Sequence, residues 1–115
     1  MDPRLEPLSA ICLALPEAER VDAEPHAQFR VRKRTFAYFL DDHHGDGIVG
    51  LTCKGPHELI DAHPDRFYMP SYLGSRGWVA LRLDVGEVDW AEVEDLVTGS
   101  YLQVAPKRLA AQVLG

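Results

Sequence analysis

The feature that most constrains the fold is an alternation of apolar and polar side chains across residues 27–53. Phe29 and Val31 alternate with arginines, and the next stretch is rich in aromatic residues, which strands favour. Because a strand points successive side chains to opposite faces, this pattern predicts a sheet with one buried face. We expect three antiparallel strands joined by turns, at residues 27–31, 35–40 and 48–53.

Before the predicted sheet, apolar residues follow the spacing of a helix rather than that of a strand. Leu8, Ile11 and Leu15 recur at three- and four-residue steps within residues 5–15, which predicts a short helix. Pro25 is expected to interrupt regular structure before the sheet begins, because proline lacks a backbone N–H donor. The first element is therefore predicted to be helical and to lie outside the sheet.

The second half of the chain alternates between helix and strand signals. Pro56 is expected to open a short helix, residues 67–77 form an irregular connection, and residues 78–83 give a fourth strand. We expect Asp89 to cap a helix that Gly99 ends, and Ser100 to cap a last helical stretch through Leu114 that Pro106 kinks or restarts. This order predicts one α+β domain over residues 1–115, a two-layer sandwich of a largely antiparallel sheet with helices packed on it.

Charge and cysteine content narrow the class of protein. Twelve Lys and Arg against eighteen Asp and Glu give a net charge of −6, which disfavours indiscriminate binding to polyanions. The two cysteines, Cys12 and Cys53, are far apart in the sequence and follow no recognisable targeting segment, so we expect free thiols and a cytoplasmic protein. No apolar run is long enough to cross a membrane, and no membrane partner is expected.

A basic cluster is the strongest candidate binding feature. Arg30, Arg32, Lys33 and Arg34 carry four positive charges around the predicted hairpin turn, with no acidic residue among them. Such a cluster can contact DNA phosphates, and Tyr38 follows closely enough to stack on a base. The alternative is a solvated hairpin whose charges protect a sheet edge from pairing with another chain.

Other candidate sites are weaker. Tyr68, Tyr72 and Trp78 stand in or beside the glycine-rich connection and could line a ligand pocket. The acidic residues between positions 84 and 95 could bind a cation, but carboxylates also stabilise a helix start. Asp42, His43 and His44 could ligate a metal, yet the calcium-loop pattern that they begin fails where a glutamate is required. No metal site and no cofactor are predicted, and no catalytic motif is found.

Taken together, short motifs along the chain resemble the MmcQ/YjbR family of small bacterial proteins. The matching residues, in family order, are Leu15-Pro16, Glu24-Pro25-His26, Phe29-x-Val31, Arg34-Thr35-Phe36-Ala37, Gly50-Leu51 with Lys54, Pro70-x-Tyr72, Gly77-Trp78-Val79, Leu83-Asp84, and Ser100-Tyr101 with Val104. The resemblance runs from the first helix to about Leu109. It implies a two-layer α/β domain similar in architecture to the frataxin-like fold.

The resemblance also implies a function. Members are commonly called DNA-binding proteins, on the basis of a proposed double-wing surface, and no catalytic residues come with the family. Lys33, Arg34, Lys54 and Trp78 match the family pattern and become candidate contacts, whereas Arg30 and Arg32 rest on the charge cluster alone. Where the family usually has Gly-Lys, this chain has Lys33-Arg34, which keeps the charge and loses the glycine of a tight turn.

We therefore expect a non-enzymatic cytoplasmic protein that binds DNA mainly through phosphates, at Arg30, Arg32, Lys33, Arg34 and Lys54. One alternative is a small-molecule or protein-binding module that uses the aromatic residues within 67–78. Another is a metal-handling protein that uses the acidic stretch, by analogy of fold alone.

Overall fold

The computed structural model describes all 115 residues as one antiparallel sheet with helices on one face. The six strands lie in the order β1-β2-β3-β4-β6-β5, and every neighbouring pair is antiparallel. The strands are β1 (Glu19–Ala23), β2 (His26–Val31), β3 (Arg34–Asp41), β4 (Val49–Lys54), β5 (Phe67–Tyr68) and β6 (Trp78–Arg82). The helices are α1 (Leu5–Leu13), α2 (Glu58–Ala62), α3 (Trp90–Val104) and α4 (Lys107–Leu114). This architecture confirms the predicted α+β class.

The core lies between the sheet and α1 and α3. Strand alternation sends Phe29, Phe39 and Leu51 to this side, where they pack in one cluster with Val93 and Val97 of α3. The opposite, helix-free face carries the other set of side chains, among them glutamine, threonine and tyrosine. The sequence pattern with one apolar face is thus explained by helices that cover a single side of the sheet.

A β-bulge on β3 joins the two layers. Phe29 pairs with Ala37 and Arg30 pairs with Thr35, so Phe36 is left without a partner on β2. Its ring packs edge-on against Tyr101 of α3, with ring centroids 5.3 Å apart.

Ser100 of α3 supplies the hydrogen bonds that this irregularity requires. Its hydroxyl is fully buried, donates to the carbonyl of Phe36 at 2.6 Å and accepts from the amide of Lys54 at 3.0 Å. One side chain therefore satisfies two buried backbone groups on two strands.

Four sequence-based assignments are wrong. The predicted irregular connection at residues 67–77 begins with the two-residue edge strand β5, which is too short to show an alternation. The sheet begins before Pro25, because β1 pairs with β2 as an edge strand, and its exposed, mostly polar side chains give no apolar alternation to detect. The helix does not end at Gly99: α3 continues to Val104, and Ser100 lies in its interior rather than at a cap. The break falls at Pro106, and α4 follows. The cap at Asp89 is confirmed, since its carboxylate accepts from the amides of Ala91 and Glu92.

Replacing Ser100 with alanine should lower the free energy of unfolding by about 3 kcal/mol, because it leaves a buried carbonyl and a buried amide without partners. Urea denaturation followed by circular dichroism measures the change. The matched control is Ser75→Ala, at an exposed hydroxyl, which should change stability by less than about 0.5 kcal/mol. Equal effects of the two substitutions would contradict the proposed role of Ser100.

The β2–β3 turn contains a second local irregularity. Arg32 and Lys33 both adopt positive φ, 50° and 66°, the conformation of a two-residue type I′ turn that favours Asn-Gly. Lys33→Gly should therefore raise the free energy of unfolding by about 1 kcal/mol, measured by urea denaturation. Lys33→Ala removes the same charge but keeps a Cβ atom, so it should bring no such gain. A gain from both variants would point to charge rather than backbone strain.

Candidate functional site

The structure divides the basic cluster into paired and unpaired cations. Arg30 lies 3.1 Å from a carboxylate oxygen of Glu19 on β1. Arg32 donates from Nε and Nη2 to the two carboxylate oxygens of Glu17, at 2.7 and 3.1 Å. The hydrogen bond from Arg32 is also the main cause of a lowered pKa at Glu17. These two arginines are therefore electrically compensated by residues that precede the predicted sheet.

The remaining cations of the cluster are not paired with carboxylates. Lys33 is exposed at the hairpin turn, and Arg34 is exposed at the start of β3, where its Nη1 lies 3.4 Å from the carbonyl oxygen of Val104. Arg34 faces a shallow groove of about 350 Å³, which we call the cationic groove. It is lined by Arg34, Thr35, Tyr38, Lys54, Leu73, Arg76, Trp78 and Val104.

Three cations and no carboxylate line the cationic groove. Arg34 comes from β3, Lys54 from the end of β4, and Arg76 from the connection that precedes β6. Arg76 was not among the predicted contacts, because the sequence of residues 74–77 is only a weak signal of an anion-binding nest and is more typical of a turn. The groove is thus a place where an anionic ligand would meet three positive charges that no protein carboxylate neutralises.

A second cavity of about 320 Å³ adjoins the groove on the helix-free face, and we call it the tyrosine pocket. Its lining consists of Tyr38, Leu40, His43, Asp46, Thr52, Tyr68, Pro70, Ser71, Tyr72 and Leu73. Tyr38 and Leu73 line both cavities, so the two are contiguous. Burial is the main cause of a raised pKa at Tyr68, which keeps its hydroxyl protonated at neutral pH.

The three aromatic residues predicted to line a pocket are placed differently from one another. Tyr68 and Tyr72 both line the tyrosine pocket. Trp78 is only 6% exposed and lies in the wall of the cationic groove, its ring tilted against Tyr38 with centroids 5.7 Å apart. Tyr38 therefore connects the tyrosine pocket to the wall that Trp78 forms.

Backbone hydrogen bonds hold the connection at residues 69–77 over the helix-free face. The amide of Gly74 donates to the carbonyl of Pro70 at 3.1 Å, and the amide of Gly55 donates to the carbonyl of Gly77 at 3.0 Å. A Cβ atom at Gly74 would lie 2.5 Å from the sulfur of Met69, a flexible and half-exposed side chain that can move aside. The Gly74–Pro70 bond closes a turn within the connection, and the Gly55–Gly77 bond ties its end to the residue that follows β4, while its middle borders both cavities.

Three of the six acidic residues between positions 84 and 95 make structural contacts. Asp84 accepts from Arg82 at 3.0 and 3.2 Å and from the amide of Val49, contacts that lower the pKa of its carboxyl group. Farther along, Asp89 caps α3 and Glu92 pairs with Arg66.

The histidines near the β3–β4 turn lie close together but are not arranged as the ligands of a metal ion. The rings of His43 and His44 have centroids 3.9 Å apart, and His26 packs edge-on against His43. No group of three or more His, Cys, Asp or Glu side chains in the chain is arranged to hold a metal ion. Burial is the main cause of a lowered pKa at His43, so this pocket residue is uncharged at neutral pH.

Comparisons with known proteins agree with this geometry. A two-layer α+β domain with one helix-free sheet face defines the structural class. The model of the YjbR family matches residues 13–103, and the chain belongs to that family. It is similar to the crystal structure of the Deinococcus radiodurans protein DR2400, a DUF419 domain, with a TM-score of 0.72 and 25% identity over 95% of this chain and 86% of that one. No curated protein matches the chain.

Two further findings concern other sequence-based expectations. None of the helices has the length and hydrophobicity needed to cross a membrane. Cys12 and Cys53 are buried and form no disulfide. Burial raises the pKa of the Cys53 thiol to about 12 and that of Cys12 further still.

Both thiols should therefore resist modification in the folded protein. At pH 8 a thiol with a pKa of about 12 is ionised in roughly one molecule in ten thousand, and burial also blocks access. Ellman's reagent should detect no thiol in the native state and two after denaturation in guanidinium chloride. Rapid reaction of either cysteine in the native protein would contradict the buried arrangement.

Proposed function

We propose that this protein binds DNA, mainly through phosphates, at the cationic groove. The observation that carries the proposal is the distribution of unpaired charge. Seven of the twelve cationic side chains form ion pairs with carboxylates. Of the five that form none, Arg34, Lys54 and Arg76 line the groove together. A phosphate backbone requires such a local concentration of positive charge.

The net charge of −6 is compatible with this proposal, because the field near a ligand depends on the nearest uncompensated charges. Lys33 stands next to Arg34 in the chain and adds a further exposed cation near the groove. Three or four phosphate contacts favour modest affinity and little sequence preference, because phosphates carry no base information. We propose a binding protein without catalytic activity, located in the bacterial cytoplasm, where two free thiols stay reduced.

A second candidate function is small-molecule binding in the tyrosine pocket. Its volume of about 320 Å³ lies at the lower end of the range typical of ligand sites. Tyrosine and threonine hydroxyls and one carboxylate offer polar contacts among apolar walls. Such a ligand would stabilise the fold without any dependence on the groove cations.

The DNA proposal is tested with two variants that change the net charge equally. Arg34→Gln with Arg76→Gln removes two unpaired groove cations, whereas Arg30→Gln with Arg32→Gln removes two cations already paired with carboxylates. Fluorescence anisotropy of a labelled duplex at several salt concentrations gives the affinity and its salt dependence. The groove variant should reduce the log–log salt slope by about 2, since each phosphate contact contributes about 0.9.

The hairpin variant serves as the control and should keep most of the wild-type affinity and slope. Equal losses in the two variants would show that binding depends on overall charge rather than on the groove. No binding by the wild type at low salt would overturn the proposal.

A further inference from the structure

The two cavities differ in charge although they share a wall. The cationic groove holds three cations and no carboxylate, while the tyrosine pocket holds one carboxylate, Asp46, and no lysine or arginine. Asp46 and the uncharged His43 make the pocket a poor place for a phosphate. A ligand that spans both cavities would therefore place its anionic group in the groove and an uncharged, polar, planar group in the pocket.

Tyr72 gives this arrangement an unusual feature. Its ring is 86% exposed, and its backbone has a φ of 66°, a conformation that costs a bulky residue free energy. The residue belongs to the connection at 69–77, where Leu73 accepts a hydrogen bond from the amide of Trp78 on β6 and Gly77 accepts one from the amide of Gly55. An aromatic ring at the edge of a pocket, with almost all of its surface exposed to solvent, is suited to stack on a flat ligand.

We propose that the groove and the pocket together accept one unpaired nucleotide of a DNA strand. Its phosphate contacts Arg34, Lys54 and Arg76, and its base enters the tyrosine pocket against Tyr72 and Tyr38. Tyrosine faces stack on any base, and the lining of the pocket also includes the polar side chains of Thr52 and Tyr68. This inference rests on the proposed phosphate contacts. It adds that the protein prefers single-stranded DNA to duplex DNA.

A preference for single strands follows from this arrangement. In a duplex the bases stay paired and stacked, so they cannot enter the pocket unless the strand is opened at a cost in free energy. Duplex DNA can reach the cationic groove alone. A single strand can reach both cavities and gains the stacking contribution as well.

The test compares a labelled single-stranded oligodeoxythymidylate with its duplex of the same length, by fluorescence anisotropy in one buffer. The proteins are the wild type, Tyr72→Ala, Tyr72→Phe, and the variant with Arg34→Gln and Arg76→Gln. Because Tyr72 is almost fully exposed, both of its variants should fold normally, which thermal unfolding checks.

We expect the wild type to bind the single strand more tightly than the duplex. Tyr72→Ala should weaken single-strand binding by about fivefold or more and leave duplex binding unchanged, since one stacked ring is lost. Tyr72→Phe should retain the wild-type preference. The variant with both groove substitutions should weaken binding to single strand and duplex alike.

Two other outcomes separate this inference from the proposed function. If Tyr72→Ala binds both forms as the wild type does, while the groove variant loses affinity for both, the nucleotide pocket is overturned and phosphate binding stands. If the wild type binds neither form at low salt, phosphate binding at the groove is overturned and the inference with it.

Discussion

The positions of two groove cations, Arg34 and Lys54, depend on the hydroxyl of Ser100. This hydroxyl, on α3, donates a hydrogen bond to the carbonyl of Phe36 at the bulge of β3. It also accepts one from the amide of Lys54 at the end of β4. A buried carbonyl or amide without a partner is costly, so this contact fixes the helix layer against the sheet at one point. One of its two contacts, Phe36, is two residues from Arg34 on β3, and the other is Lys54 itself. The alignment of α3 against the sheet therefore determines where the side chains of Arg34 and Lys54 lie.

The electrostatic character of the helix-free face follows from which cations find carboxylates. Glu17 and Glu19 lie before and at the start of the edge strand β1, and they neutralise two arginines of the adjacent strand and turn. Arg34, Lys54 and Arg76 have no such neighbours, because strands β3, β4 and β6 bring no carboxylate to that part of the face. An acidic protein can in this way keep one locally positive surface.

The connection at residues 69–77 gives the helix-free face its concave shape. A backbone hydrogen bond from Gly74 to Pro70 closes a turn in this connection, and Leu73 borders both cavities. The same connection carries Arg76 toward the groove and Tyr72 toward the pocket. Two contacts of different chemistry, one ionic and one aromatic, are therefore positioned by a single short segment.

The sequence by itself determined the α+β class, four of the six strands (β2, β3, β4 and β6) and the cap at Asp89, because these depend on alternation and on contacts between near neighbours. It did not reveal β1, whose side chains are exposed and so follow no apolar pattern. Nor did it show that α3 continues through Gly99, since only packing on the sheet compensates for a glycine in a helix. Which cations of the basic cluster pair with carboxylates, and which do not, was decided by tertiary structure alone. Arg34, Lys54 and Arg76 are far apart in the chain, and only the strand order brings them to one groove.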